Sequence, residues 1–176
     1  MVREAAALWE GGGELIGDIG RFFAGVGALV RRPADGRYLL LRRTTEKDFA
    51  AGAWECVTGR VDQGEGFTDA VLREVNEELG VTAHIDFIVG TGHFYRGDAR
   101  PENELVGVQY CCSIEDPEAI RMSGEHTEHR WIAPGEVREL LPEGHWLAAA
   151  IDRAEAMRAL SPPELLDYHR KQGFEV

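Results

Sequence analysis

Three glutamates stand close together in one short stretch of the chain, at Glu74, Glu77 and Glu78. On a helix these are positions i, i+3 and i+4, so the three carboxylates share one face. Like charges at this spacing destabilise a helix by roughly a few tenths of a kcal/mol per pair unless something neutralises them. Mg²⁺ is suited to that task, because it prefers oxygen ligands and keeps several waters for phosphate-bearing substrates. The spacing therefore predicts a helix that binds a metal ion.

Glutamates on a helix face are more often only solvated charge, and it is the flanking residues that favour the metal interpretation. Gly59 and the Gly64-Glu65-Gly66 loop precede the helix, and glycine lets a backbone approach a ligand closely. An apolar stripe occupies a separate face of the helix and consists of Val71, Val75 and Leu79, with Leu72 beside it. Thr68 or Asp69 is predicted to cap the start of the helix, and Gly80 to end it.

The same stretch carries a family signature. Gly59 is followed after five residues by Glu65, and after seven more by Arg73-Glu74-Val75-x-Glu77-Glu78-x-Gly80-Val81. This is the pattern of the Nudix box, so the protein resembles the Nudix hydrolases. A chance match to this many specified positions is far rarer than a chance GxGxxG match.

The resemblance implies a chemistry and a role for each matching residue. It implies that Glu74, Glu77 and Glu78 bind Mg²⁺, for which Mn²⁺ often substitutes, with the Gly59 carbonyl nearby. Water then attacks a nucleoside diphosphate that is linked to a further group. Glu65 is expected to be a water-mediated ligand or an electrostatic neighbour. Arg73 is expected to orient carboxylates rather than contact the substrate.

A further carboxylate is expected to come from the loop before Trp131, in the region where many family members place one over the metal site. Glu125 is the first choice as the residue that activates or positions water, and Glu128 is the competing choice. His126 and His129 could assist, although a loop histidine more often only forms hydrogen bonds.

The substrate is less well defined by the sequence. Trp54, Phe94 and Tyr95 are candidates for stacking a base, although aromatic residues near a sheet more often belong to the core. The sequence markers that distinguish the ADP-ribose, diadenosine polyphosphate and coenzyme A branches of the family do not match this chain. A nucleoside triphosphate, normal or oxidised, is the first choice of substrate.

Two other functional classes remain open at this point. One is a catalytically inactive Nudix module that senses nucleotides, against which the three intact glutamates count. The other is an enzyme similar to isopentenyl diphosphate isomerase, which needs a cysteine and extra histidine ligands that find no convincing match here.

Composition excludes several classes of partner. With a net charge of −12 over 176 residues, the chain lacks the basic surface that binds bulk nucleic acid or an anionic membrane. A nucleotide substrate stays compatible, since a metal ion can supply local positive charge. The three cysteines have no metal-ligand spacing and are expected to be free and buried. With no secretory signal and no apolar run long enough for a membrane span, a cytoplasmic location is expected.

The remaining elements predict an α/β fold. Strands are expected at 23–30, 38–43, 54–58, 83–95, 105–114 and 129–132, and a second long helix at 147–160. The resemblance sharpens this to an α/β/α sandwich with a mixed sheet, in a single domain over 21–176. Residues 1–20 are expected to form an N-terminal extension. It either packs as an arm in a homodimer or covers its own domain as a lid or edge strand.

Overall fold

The computed structural model describes residues 20–46 and 50–175, so the predicted N-terminal extension lies almost wholly outside the described residues. The described strands are β1 (Phe23–Arg31), β2 (Tyr38–Arg43), β3 (Trp54–Glu55), β4 (Val57–Arg60), β5 (Ala83–Tyr95), β6 (Glu104–Ile114) and β7 (His126–Ile132). The described helices are α1 (Phe67–Leu79), α2 (Val137–Leu140), α3 (Trp146–Leu160) and α4 (Pro163–Gln172).

Strand β1 lies in the middle of the sheet. It pairs in parallel with β6 and antiparallel with β2 and β4. β5 pairs antiparallel with β6, while β2 also pairs antiparallel with β3 and β7. The parallel β1–β6 pair among antiparallel neighbours makes the sheet mixed, which confirms the predicted fold class.

The core forms on both faces of this sheet because side chains alternate along each strand. Val26 and Ala28 of β1 belong to one cluster, into which α1 buries Val71, Val75 and Leu79. Leu29, one position on, belongs to the other cluster, into which α3 buries Leu147, Ile151 and Ala154. The apolar stripe predicted for α1 and the second long helix are confirmed, but Leu160 at the end of α3 is 84% exposed and does not join the core.

Two predicted boundaries are wrong. The strand predicted over 54–58 is divided at Cys56, so that β3 pairs with β2 and β4 pairs with β1. Strand β7 begins at His126 instead of residue 129, which shortens the loop that was expected before Trp131. Pairing between His126 and Arg43, across a register shift that leaves Thr127 as the extra residue of β7, extends β7 in this direction.

The C-terminal residues dock on the domain. Helix α4 follows α3, and Phe174 beyond it packs on the α1 side of the core, with an edge contact to Tyr110. In the part of the chain that the structure describes, no helix is both long and apolar enough to cross a membrane.

Candidate active site

Helix α1 begins at a cap that the sequence analysis did not predict. Gly66 is the N-cap residue and makes no side-chain cap hydrogen bond, so the prediction of Thr68 or Asp69 is wrong. Instead, the Glu175 carboxylate accepts hydrogen bonds from the backbone N–H of Phe67 at 2.7 Å and of Thr68 at 3.1 Å. Its negative charge also suits the positive end of the helix dipole. The end of the chain therefore completes the start of this helix.

The other end of α1 follows the prediction. Gly80 is left-handed, with φ 67° and ψ 22°, and its N–H donates to the Asn76 carbonyl at 2.8 Å. Glycine adopts this conformation without the penalty that a side chain brings.

Gly59 lies directly beneath the Glu74 side chain. A Cβ atom added at Gly59 would stand 1.8 Å from Cδ of Glu74, so any other residue would displace the carboxylate. The glycine that opens the family signature therefore has a local physical reason: it lets Glu74 lie flat against β4.

Arg73 contacts three of the carboxylates named in the sequence analysis. Its guanidinium donates to Glu65 at 2.9 and 3.0 Å, to Glu74 at 2.9 Å and to Glu77 at 3.1 Å. A fifth hydrogen bond reaches the Arg60 carbonyl at 2.9 Å. Its hydrogen bonds, with that to Glu65 the strongest, raise the pKa of Arg73 further, so it stays charged. The same contact lowers the pKa of Glu65.

Glu78 is buried although it is a carboxylate on the acidic face, with 5% of the residue exposed. Burial, followed by repulsion from Glu55 and Glu74, raises the pKa of Glu78 to about 9. Burial also raises the pKa of Glu74, against the opposing effect of Arg73. Of the three carboxylates on this face, only Glu77 is therefore exposed, whereas Glu74 is half-buried and Glu78 is buried.

Two residues that the sequence analysis did not select belong to this network, since the charge of Glu55 raises the pKa of Glu78 and Arg43 pairs with Glu55. Glu55 accepts a hydrogen bond from Arg43 at 2.7 Å and lies 3.0 Å from His126 Nε2. His126 is buried rather than exposed in a loop. A charged residue between Trp54 and Cys56, inside a short apolar strand, was the available signal for Glu55.

The two candidate loop carboxylates lie in different environments. Glu125 is close enough to Glu74 and Glu78 for its charge to raise the pKa of both, and its carbonyl accepts from the Thr44 N–H at 2.9 Å. Glu128 lies within β7 and pairs with Arg130 at 2.6 Å and with Arg42 at 3.6 Å.

The three aromatic candidates also differ in their surroundings. Trp54 is partly buried and lies under the Arg130 guanidinium, 5.0 Å from the ring centroid. Tyr95 makes an edge contact with His93, with centroids 5.6 Å apart. Phe94 is 45% exposed. Phe94 therefore has the largest exposed surface of these rings for a ligand.

A family model described as the NUDIX domain matches residues 21–154. The chain belongs to the Nudix family. It is accordingly a hydrolase of diphosphate bonds, in a family that acts on nucleotide-type substrates and depends in general on divalent metal ions.

Individual relatives are similar at modest identity. An RNA pyrophosphohydrolase of Novosphingobium aromaticivorans is 30% identical over 124 residues, covering 61% of this chain and 76% of that protein. A CTP pyrophosphohydrolase of Escherichia coli is 29% identical over 111 residues, covering 63% of this chain and 76% of that protein. An octanoyltransferase of Myxococcus xanthus is 28% identical over 111 residues, but this Nudix chain spans only 30% of its length.

Solved Nudix structures have the same architecture. A MutT protein from Methanosarcina mazei superimposes with a TM-score of 0.65 at 26% identity, covering 81% of this chain and 99% of that one.

The residues around α1 fit the metal ion that the family implies. Oε2 of Glu78 is buried without a hydrogen-bond partner in the described structure, and its neighbours Glu74 and Glu125 are oxygen donors of the kind that hard divalent cations prefer. Among residues 20–46 and 50–175, no three acidic, histidine or cysteine side chains already stand in a metal cage. Arg73 engages Glu74 and Glu77 in this state, so rotation of these side chains would accompany metal binding.

Proposed function

We propose that this Nudix hydrolase is a metal-dependent nucleoside triphosphate pyrophosphohydrolase, acting on normal or oxidised nucleotides with Mg²⁺ or Mn²⁺. The observation that carries the proposal is the buried, unpartnered Oε2 of Glu78 among carboxylates that raise its pKa. Buried charges persist in proteins when they are paired or coordinate metals. A bound divalent cation would neutralise the diphosphate oxygens and lower the pKa of the attacking water.

The side chains divide the remaining tasks. Glu74, Glu77 and Glu78 would hold the cation, with the Gly59 carbonyl and Glu65 at its margin. Arg73 orients Glu65, Glu74 and Glu77 through its hydrogen bonds and carries positive charge next to the site. Glu125 lies outside the helix but close to Glu74 and Glu78, where it can accept the proton of the attacking water.

A nucleotide rather than a long RNA is proposed as the substrate because the chain carries a net charge of −12. The CTP pyrophosphohydrolase relative supports this choice. The isomerase alternative loses support, since Cys56, Cys111 and Cys112 are all buried, and burial raises the pKa of each thiol.

The test is a panel of ribo-, deoxyribo- and oxidised nucleoside triphosphates, with a 5′-triphosphorylated RNA oligonucleotide for comparison. Release of pyrophosphate and a nucleoside monophosphate is measured with Mg²⁺, with Mn²⁺ and with chelator. We expect metal-dependent turnover of at least one triphosphate, and none by Glu78→Gln. Activity in chelator would refute the metal role, faster cleavage of RNA would refute the substrate class, and binding without turnover would favour a sensing module.

A further inference from the structure

The buried imidazole of His126 is fixed in place by its neighbours. Only 1% of its side chain is exposed, and Nε2 lies 3.0 Å from Oε1 of Glu55. The same oxygen accepts a hydrogen bond from Arg43 at 2.7 Å. A carboxylate paired with arginine can only accept hydrogen bonds, so the network assigns Nε2 as the donor, while Nδ1 makes no hydrogen bond within the described structure.

That Nδ1 atom faces Glu78. It lies 3.9 Å from Oε2 of Glu78, which is longer than a hydrogen bond. Within the described structure, both atoms are buried and neither has a hydrogen-bond partner. Buried polar atoms without partners are rare in native proteins, and each requires an explanation. Here two of them face each other beside the proposed metal site.

The Glu78 carboxylate is therefore confined from two directions. The backbone of Thr58 lies close enough to lower the pKa of the carboxyl group, and the imidazole stands on the Oε2 side. A glutamate side chain loses conformational entropy when it is held in one orientation. If Glu78 is already held before the metal ion binds, less entropy is lost on binding.

We propose that His126 is a positioning residue for Glu78: it limits the orientations of the carboxylate whose Oε2 meets the divalent cation, and Glu55 and Arg43 hold the imidazole for this task. The proposal rests on the proposed function in that Glu78 is taken to bind the cation. Residues that orient metal ligands typically change metal affinity by about 10–100-fold when they are replaced.

Two substitutions separate this role from a structural one. The amide of Gln reaches about as far as Nε2 of histidine, so His126→Gln retains the hydrogen bond to Glu55 and removes the group that faces Glu78. The amide of Asn reaches about as far as Nδ1, so His126→Asn does the reverse. His129→Gln is the matched control, because His129 is an exposed histidine of the same strand.

The experiment measures the dissociation constant of Mn²⁺ by electron paramagnetic resonance, without substrate, together with Tm, kcat and KM. For His126→Gln we expect Mn²⁺ affinity to fall by about 10–100-fold, with Tm and KM at saturating Mn²⁺ close to those of the parent. His126→Asn should bind Mn²⁺ nearly as well as the parent but with a lower Tm. His129→Gln should change neither the Mn²⁺ affinity nor Tm.

Parent-like Mn²⁺ affinity in His126→Gln would overturn the inference. So would a loss of Mn²⁺ affinity in His126→Gln and His126→Asn that is simply proportional to their loss of Tm. If either His126 variant fails to fold, Glu55→Gln provides the measurement, and unchanged affinity there would overturn the inference as well. Parent protein whose Mn²⁺ binding is insensitive to Glu78→Gln would overturn both this inference and the proposed function.

Discussion

Replacing Glu78 by Gln tests the central feature of the site. This feature is a buried carboxyl group whose ionisation costs free energy in the folded protein. In the folded protein the pKa of Glu78 is raised to about 9 by burial and by nearby carboxylates, whereas in the unfolded chain it is about 4.3. The folded state therefore retains a proton that the unfolded state releases. For an acid with a raised pKa, stability is highest below the unfolded value and falls as the pH rises towards 9.

The magnitude follows from linkage, with about 1.4 kcal/mol for each pH unit between the unfolded pKa and the solution pH. At pH 7 the metal-free protein should be destabilised by roughly 3 kcal/mol relative to pH 4. Gln has the shape of the protonated acid and does not ionise. Allowing for its imperfect hydrogen bonding, we expect Glu78→Gln to be more stable than the parent by about 2 kcal/mol at pH 8. For a domain of this size that corresponds to a rise in Tm of about 4–8 °C.

The assay is chemical and thermal denaturation in chelator at pH 5, 7 and 8, with Glu77→Gln as the control. Glu77 has 58% of its side chain exposed, so its substitution should give no comparable pH-dependent gain. Between pH 8 and pH 5 the same linkage removes roughly 4 kcal/mol of this difference, so at pH 5 Glu78→Gln should be no more stable than the parent. An advantage that is the same at pH 5 and pH 8, or a variant that is less stable at pH 8, would refute the reasoning. The same variant should lose nearly all hydrolysis, because a neutral amide replaces a charged ligand of the proposed metal ion.

Three further predictions concern other parts of the site. Glu125→Gln should lower kcat by about 10²–10⁴-fold at saturating metal. Glu128→Gln should keep near-parent kcat, because the Glu128 side chain pairs with Arg130 and Arg42. A large loss of kcat only in Glu128→Gln would reverse the assignment. If one of Trp54, Phe94 and Tyr95 stacks the base, its replacement by Ala should weaken substrate binding by about 1–3 kcal/mol. Phe94→Ala should do so without a change in Tm. An unchanged KM in all three variants would place base recognition elsewhere. Glu175→Gln should lower the free energy of unfolding by about 1 kcal/mol, which is the usual contribution of a helix cap. The reason is that the amide weakens the hydrogen bonds to Phe67 and Thr68. An unchanged urea midpoint would count against this capping role.

Local features of the site follow from the sequence by itself. The 3.6-residue period of Val71, Val75 and Leu79 predicts α1 and its buried side, and the structure confirms both. Gly80 ends the helix because the left-handed conformation is local and glycine favours it. The family signature around Glu74 is equally local, so the family and its reaction class could be predicted without tertiary information.

Contacts between distant parts of the chain could not be predicted in this way. Glu55 and His126 are separated by 71 positions, and the bulged pairing of β2 with β7 brings them together. Glu175 reaches α1 across 108 positions, replacing the local caps that the sequence offers at Thr68 and Asp69. No local pattern encodes such a pairing, because hydrogen-bond partners are selected by which segments pack together.

The environment of Glu78 depends on tertiary structure most of all. Its position in the sequence predicts a carboxylate on the acidic face of α1, with its charge in contact with solvent. Packing against Thr58 and His126 instead excludes water from it, and the nearby Glu55 and Glu74 oppose its ionisation. The sequence by itself determined which carboxylates are available for a metal ion, whereas the tertiary structure decided which of them is buried, because desolvation depends on everything that surrounds a group and not on its own helix.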